Sequence, residues 1–158
     1  LLDRIARSRP KVRPTSCGTL ILVPTRELAA QIVDNIRIYG RFLKPRVATV
    51  VGGVRPGPQV QAMKGGVDIL VATPGRLEDH MSTGAITLAS VRTVVLDEAD
   101  QMLDYGFVPA IRRILKKTPS PRQLLLLSAT MPKQIDALAQ DFLNDPVAWS
   151  KAHGGKED

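Results

Sequence analysis

Thr93-Val94-Val95-Leu96-Asp97-Glu98-Ala99-Asp100 is the stretch that decides the fold. An unbroken β-branched and aliphatic run stops at Asp97, Glu98 and Asp100. Such a run, without polar alternation, suits a strand buried on both faces, as in a parallel sheet. The pattern recurs along the chain. Strands are predicted at Thr19–Val23, Val47–Val51, Asp68–Ala72 and Gln123–Leu127, with a weaker one at Val147–Trp149. Helical spacing fills the gaps. From Arg26 to about Phe42, Leu28, Ile32, Ile36, Tyr39 and Leu43 fall on one face. A short helix follows Pro74 and stops at Gly84, with Leu77 and Met81 inward. Val108–Lys117 turns Ile111, Ile114 and Leu115 inward, and Lys116 and Lys117 complement its C-terminal dipole. Pro132–Leu143 does the same with Ile135, Leu138, Ala139 and Phe142. Strand alternating with helix defines an α/β fold with right-handed crossovers.

Composition narrows the class. A length of 158 residues fits one domain. Apolar residues make up 44 %, which excludes a disordered chain, and aromatics only 4 %, so the core is aliphatic. No apolar run approaches the roughly 18 residues of a membrane span. One cysteine, Cys17, excludes an internal disulfide framework and a cysteine-based zinc site. With His80 and His153 the only histidines, a transition-metal cage is not expected either. A reducing, cytoplasmic compartment is the expectation. The net charge is +7, and much of it lies in Arg4, Arg7, Arg9, Lys11 and Arg13, opposed nearby only by Asp3. That Pro-containing segment reads as a solvated loop before it reads as a polyanion-binding face. Cys17 is placed in a loop, and His80 on the surface of its short helix. Tyr39, Phe107, Phe142 and Trp149 are spaced as core or edge residues, which leaves no aromatic platform for stacking bases.

Five strand ends carry polar motifs. They are Pro24-Thr25-Arg26-Glu27-Leu28, Gly52-Gly53, Thr73-Pro74-Gly75-Arg76, Asp97-Glu98-Ala99-Asp100 and Ser128-Ala129-Thr130. In open α/β sheets, ligands bind beyond the carboxyl ends of the strands. Five parallel strands about 4.8 Å apart give an edge of roughly 20–25 Å, enough for a nucleotide beside a stretch of polymer. Asp-Glu after an apolar strand has the form of a Walker B segment. The first carboxylate holds Mg²⁺ through water and the second positions the attacking water. The plainer reading is an acidic first turn on a helix. Ser128 and Thr130 carry hydroxyls that can bond Asp100 or Glu98; alternatively Thr130 caps the helix near Pro132. Thr73 and Thr25 read as N-caps, each followed by a helix start with an arginine. Amides and an arginine at a helix N-terminus also make a phosphate site. Gly52-Gly53 offers bare backbone that a phosphate chain can approach, or a simple turn.

The ordered set PTREL, GG, TPGR, DEAD and SAT resembles the first RecA-like lobe of DEAD-box ATP-dependent RNA helicases, of bacterial type. The resemblance covers residues 1–150, with 151–158 a tail or the start of an inter-lobe linker. It implies a RecA-like parallel sheet, incomplete at its N-terminal end. It implies a catalytic set of Asp97, Glu98, Asp100, Ser128 and Thr130, with Asp97 and Glu98 meeting ATP and Asp97 meeting Mg²⁺. It places Pro24, Thr25, Arg26, Gly52, Gly53, Thr73, Gly75 and Arg76 along the RNA backbone. The partners implied are RNA and a second RecA-like lobe of the same parent chain; no membrane is expected. The family's P-loop, GxxxxGK[ST], does not occur in the 158 residues. Gly155-Lys156 is followed by Glu157 and has Ser150 where the first glycine belongs. Leu1, Leu2 and Ile5 read as the second half of a helix. Alone, therefore, the chain is expected to be inactive, a fragment of such a helicase. The alternatives are a non-enzymatic nucleic-acid or protein-binding module and a Mg²⁺-dependent hydrolase without a P-loop.

Overall fold

Five parallel strands stand in the spatial order β2-β3-β1-β4-β5. They are β1 (Cys17–Leu22), β2 (Val47–Val50), β3 (Val67–Ala72), β4 (Thr93–Leu96) and β5 (Gln123–Leu126). The computed structural model describes residues 12–120 and 122–143. The helical start at 1–5, the basic segment of 4–13 except its last residues, the strand expected at 147–149 and the tail at 151–158 lie outside the described residues. The central strands β1, β3 and β4 are buried almost throughout, which is what their unalternating sequences require. Outer strands β2 and β5 alternate in burial. Registers run Leu22↔Ala72 and Leu22↔Leu96, so the carboxyl ends of β1, β3 and β4 are level.

Five helices connect the strands and a sixth follows β5: α1 (Arg26–Tyr39), α2 (Pro56–Met63), α3 (Pro74–Ser82), α4 (Ala99–Asp104), α5 (Val108–Lys116) and, last, α6 (Lys133–Phe142). The larger apolar cluster joins Leu20, Leu22, Leu70 and Leu96 to Met63, Leu77, Met102, Ile111, Ile114 and Leu138. The smaller joins Ile21, Ile69, Val71 and Val95 to Ala29, Val33 and Ile36 of α1. Alternate residues of each strand feed the two clusters, as a period of two requires. No helix among the described residues is long and apolar enough to cross a membrane.

Four expectations change. Helix α1 ends at Tyr39 rather than near Phe42, and Tyr39 is 77 % exposed instead of facing the core. Ala29 and Val33 take the inward positions, because the stripe turns as the helix advances. Cys17 is not in a loop. It opens β1, is fully buried, and burial pushes its thiol up to about 12, so it is chemically quiet. His80 is not a surface residue; it is buried on α3 with Leu77. Helix α2 is new. Pro56 at its first position, with Gln59 and Met63 buried one turn apart, is the signal for it.

Candidate RNA- and nucleotide-facing edge

All five motif segments emerge at the carboxyl edge of the sheet. Across the edge they stand as Gly52-Gly53 after β2, Thr73 to Arg76 after β3, Pro24 to Arg26 after β1, Asp97 to Asp100 after β4, and Ser128 to Thr130 after β5. Backbone bonds tie them together. Thr73 N–H donates to the Val50 carbonyl at 3.0 Å, Asp97 N–H to Leu22 at 3.0 Å and Ala99 N–H to Leu127 at 3.0 Å.

On the β4–β5 side, carboxylates meet hydroxyls. Thr130 Oγ1 donates to Asp100 Oδ2 at 2.9 Å and Thr130 N–H to the same oxygen at 3.2 Å. Ser128 Oγ donates to the Thr130 carbonyl at 2.6 Å and accepts from Asp100 N–H at 3.1 Å. The hydroxyls therefore meet Asp100. Helix α6 starts at Lys133 with Pro132 at its N-cap position and no side-chain cap bond, so Thr130 does not cap it. Glu98 has φ 53° and ψ 53°, a left-handed conformation that costs a non-glycine residue about 1–2 kcal/mol. Burial holds the Asp97 carboxyl above its ordinary range, outweighing the bond it accepts from the Glu98 amide. Burial, then the Asp97 and Asp100 charges, do the same to Glu98.

That donor set suits a hard cation only in part. Among the described residues, no group of three or more His, Cys, Asp or Glu side chains gathers to hold a metal ion. Mg²⁺ keeps several waters and needs one or two carboxylates plus substrate phosphates, so Asp97 with Glu98 fits it and a full protein cage does not exist here.

On the β2–β3–β1 side, arginines meet backbone carbonyls. Thr25 Oγ1 caps α1 by accepting from Leu28 N–H at 3.1 Å. Thr73 takes the N-cap position of α3, without a side-chain bond, and Pro74 follows at the first position. Arg26 reaches the Gly53 carbonyl at 3.4 Å and lies 3.6 Å from Glu27, which offsets a cation at a helix N-terminus. Gly53 has φ +79°, and a Cβ there would lie 2.6 Å from Arg26 Nη1. Arg76 donates to the Val54 carbonyl at 2.8 Å and to Gln59 Oε1 at 3.3 Å. Gln59 and His80, both buried, complete this side; Gln59 Nε2 donates to Val51 at 2.8 Å and Oε1 lies 3.0 Å from His80 Nε2. Sequence reasoning passed over Gln59 and placed His80 on the surface. Their signal is a polar residue on an apolar helical stripe, Gln59 with Met63 and His80 with Leu77. A cavity of about 470 Å³ lies beside Arg26, between α1 and the end of β2, and includes Val33, Arg37, Val51 and Val54 in its walls.

A parallel RecA-like sheet with a carboxylate strand end and arginine-bearing helix starts defines a helicase-type lobe. The DEAD/DEAH box helicase model matches residues 2–138, and the chain belongs to that family. It is 49 % identical over 126 residues to the ATP-dependent RNA helicase DBP2 of Gibberella zeae, covering 80 % of this chain and 23 % of that protein. It is 45 % identical over 141 residues to DEAD-box ATP-dependent RNA helicase 40 of Oryza sativa subsp. japonica, covering 89 % and 17 %. The crystal structure of a hypothetical ATP-dependent RNA helicase from Sulfolobus tokodaii superposes with a TM-score of 0.79 at 38 % identity, over 91 % of this chain and 41 % of that one. The chain thus spans about a fifth of the curated relatives it matches. These relatives are fungal and plant, and the solved structure is from Sulfolobus tokodaii, so the expectation of a bacterial type finds no support in them.

Proposed function

We propose that the chain is the first RecA-like lobe, without its P-loop segment, of an ATP-dependent RNA helicase that opens short duplexes or remodels RNA–protein complexes together with a second RecA-like lobe. The observation that carries this reading is the Thr130–Asp100 pair of bonds, which joins the SAT segment to the DEAD segment beside the strained Glu98. A site of hydrolysis tied by hydroxyls to a neighbouring strand end is a means of passing a change at one to the other. Asp97 would hold Mg²⁺ through water, Glu98 would orient the attacking water, and Ser128 and Thr130 would couple hydrolysis to lobe movement. The cation, when bound, neutralises charge on the reacting phosphates. Pro24, Thr25, Arg26, Gly52, Gly53, Thr73, Gly75 and Arg76 would follow the RNA backbone by phosphate contacts, which position a strand without reading its sequence.

The test is Glu98→Gln in the full-length protein. RNA-stimulated ATP turnover is expected to fall by about a hundredfold or more, the scale of a lost general base, with ATP and RNA dissociation constants changed less than twofold. Turnover at the parent's rate would remove Glu98, and with it the catalytic reading of the DEAD segment. In parallel, the 158-residue chain titrated alone with ATP and Mg²⁺ is expected to show no micromolar binding.

A further inference from the structure

The Gln59 amide is fixed at both ends. Its Nε2 donates to the Val51 carbonyl at 2.8 Å, one residue before Gly52. Its Oε1 therefore faces Arg76 Nη1 at 3.3 Å and His80 Nε2 at 3.0 Å. An amide oxygen only accepts, so His80 carries its proton on Nε2. Burial and the Arg76 charge hold the imidazole below its usual range, and it is neutral with one N–H to give. Were the amide reversed, its NH₂ would face the Arg76 guanidinium, which only donates, and the Val51 carbonyl would lose its bond. Those two partners exclude that state, and His80 adds a third bond to the orientation they set. The same amide oxygen bonds Arg76, whose Nη1 also donates to the Val54 carbonyl at 2.8 Å. One buried amide thus ties the Gly52–Val54 loop to the arginine of the next helix.

Packing alone gives no reason for this network. His80 is 5 % exposed and Gln59 6 %, and burying polar groups carries a desolvation cost that an apolar pair would avoid. What the network does supply is orientation. An arginine held by one nitrogen presents the rest of its planar fork in a set direction, which suits a phosphate.

We propose that His80 is a positioning residue of the RNA-facing edge: by donating from Nε2 to Gln59 it holds in place the amide that aims Arg76 and the Gly52–Val54 loop at the RNA backbone. The proposal rests on the RNA-facing reading of Arg76. It is tested in the full-length protein by fluorescence anisotropy with a labelled single-stranded RNA. His80→Leu is expected to weaken RNA binding about fivefold. His80→Gln, whose amide nitrogen can stand in for Nε2, is expected to restore binding to within twofold. In an Arg76→Ala background, His80→Leu should add less than a factor of two, because coupled residues are not additive. If His80→Leu melts early, Gln59→Met removes the His80 bond together with those to Arg76 and Val51 at similar volume and is expected to give a loss of at least fivefold. Equal losses in His80→Leu and His80→Gln overturn the proposal, and so do additive losses in the double variant. Failure of the underlying reading looks different: Arg76→Ala then binds RNA as tightly as the parent. If Arg76→Ala weakens binding while His80→Leu does not, only the role of His80 falls.

Discussion

The arginine corner and the carboxylate corner flank the end of β1 and are built on opposite terms. Each arginine rests on an acceptor: Arg26 on the Gly53 carbonyl and Arg76 on that of Val54, with the buried Gln59 amide beneath. The carboxylates crowd together instead. Asp97, Glu98 and Asp100 fall within four residues, and Asp100 takes the bonds from Thr130. Asp97 and Glu98 are held above their ordinary pKa by burial, and Glu98 also by its acidic neighbours. Glu98 adds a left-handed backbone. One corner is satisfied within the fold; the other stores repulsion and strain. Strain persists where surrounding structure over-determines it, and sites proposed for chemistry are where it is expected.

Asp100 is the exception that holds the strained corner together, so removing it should give the largest effect on stability. Asp100→Ala deletes both bonds from Thr130 and leaves the SAT segment tied to the DEAD segment by the Asp100 N–H to Ser128 and the Ala99 N–H to Leu127 alone. Bonds to a charged acceptor each contribute about 1.5–3 kcal/mol when well shielded. These are partly exposed, and a total of about 2 kcal/mol is expected, read as a lower urea midpoint at unchanged m-value. Asp100→Asn keeps an acceptor and should lose less than half of that. An unshifted midpoint in Asp100→Ala would mean the corner is held by its backbone bonds alone, and the contrast between the corners would weaken.

The two corners were also unequally legible in the sequence. Asp97-Glu98-Ala99-Asp100 announces itself because an apolar strand stops abruptly at carboxylates. β4 was accordingly read to the residue, at Thr93–Leu96. The arginine corner was read only at its surface. Arg26 and Arg76 stand out at helix starts, but their support does not. Helix α2 was hidden by Pro56, Gly57 and Pro58, residues that speak against a helix except at its first turn. With α2 unread, Gln59 had no face to lie on, and His80 had no partner to explain its burial. Tyr39 misled for a different reason. Spacing places a residue on a face, yet at the last residue of α1 nothing among the described residues covers Tyr39, while Ile36 one turn earlier is buried.

The raised carboxyl at Asp97 gives a smaller, pH-dependent effect. A group whose folded pKa is raised holds its proton more tightly folded than unfolded. Stability then falls as pH rises from the ordinary carboxylate range through the folded value. Asp97→Asn removes that loss. At pH 3, where both forms are largely protonated, the variant and the parent should melt together. By pH 7 Asp97→Asn should melt higher by about 2 °C. A difference that stays flat with pH would remove Asp97 from the strained corner.

The smallest effect separates what the fold needs from what a ligand needs. Gly53 is required by the protein itself, by its φ of +79°, while the Arg26 tip lying 2.6 Å from an added Cβ belongs to a flexible arm that can move aside. Gly75 is not: nothing lies within 4 Å of a Cβ there, and its φ is not positive. It sits in the first turn of α3, where alanine costs less unfolded entropy than glycine. Gly75→Ala should therefore stabilise the protein slightly, by about 0.5 kcal/mol and about 1 °C in melting temperature. A glycine that the fold would replace is informative only if something outside the fold needs the space. Close approach of a phosphate to the α3 amides is that need under the proposed reading. RNA affinity in Gly75→Ala is then expected to fall about threefold while stability rises. The opposite movement of the two readings is the signature, since a damaged fold would lower both. Should stability rise with RNA affinity unchanged, the backbone at Gly75 makes no contact with RNA, and the phosphate path must be redrawn through Arg76 and the Gly52-Gly53 loop alone.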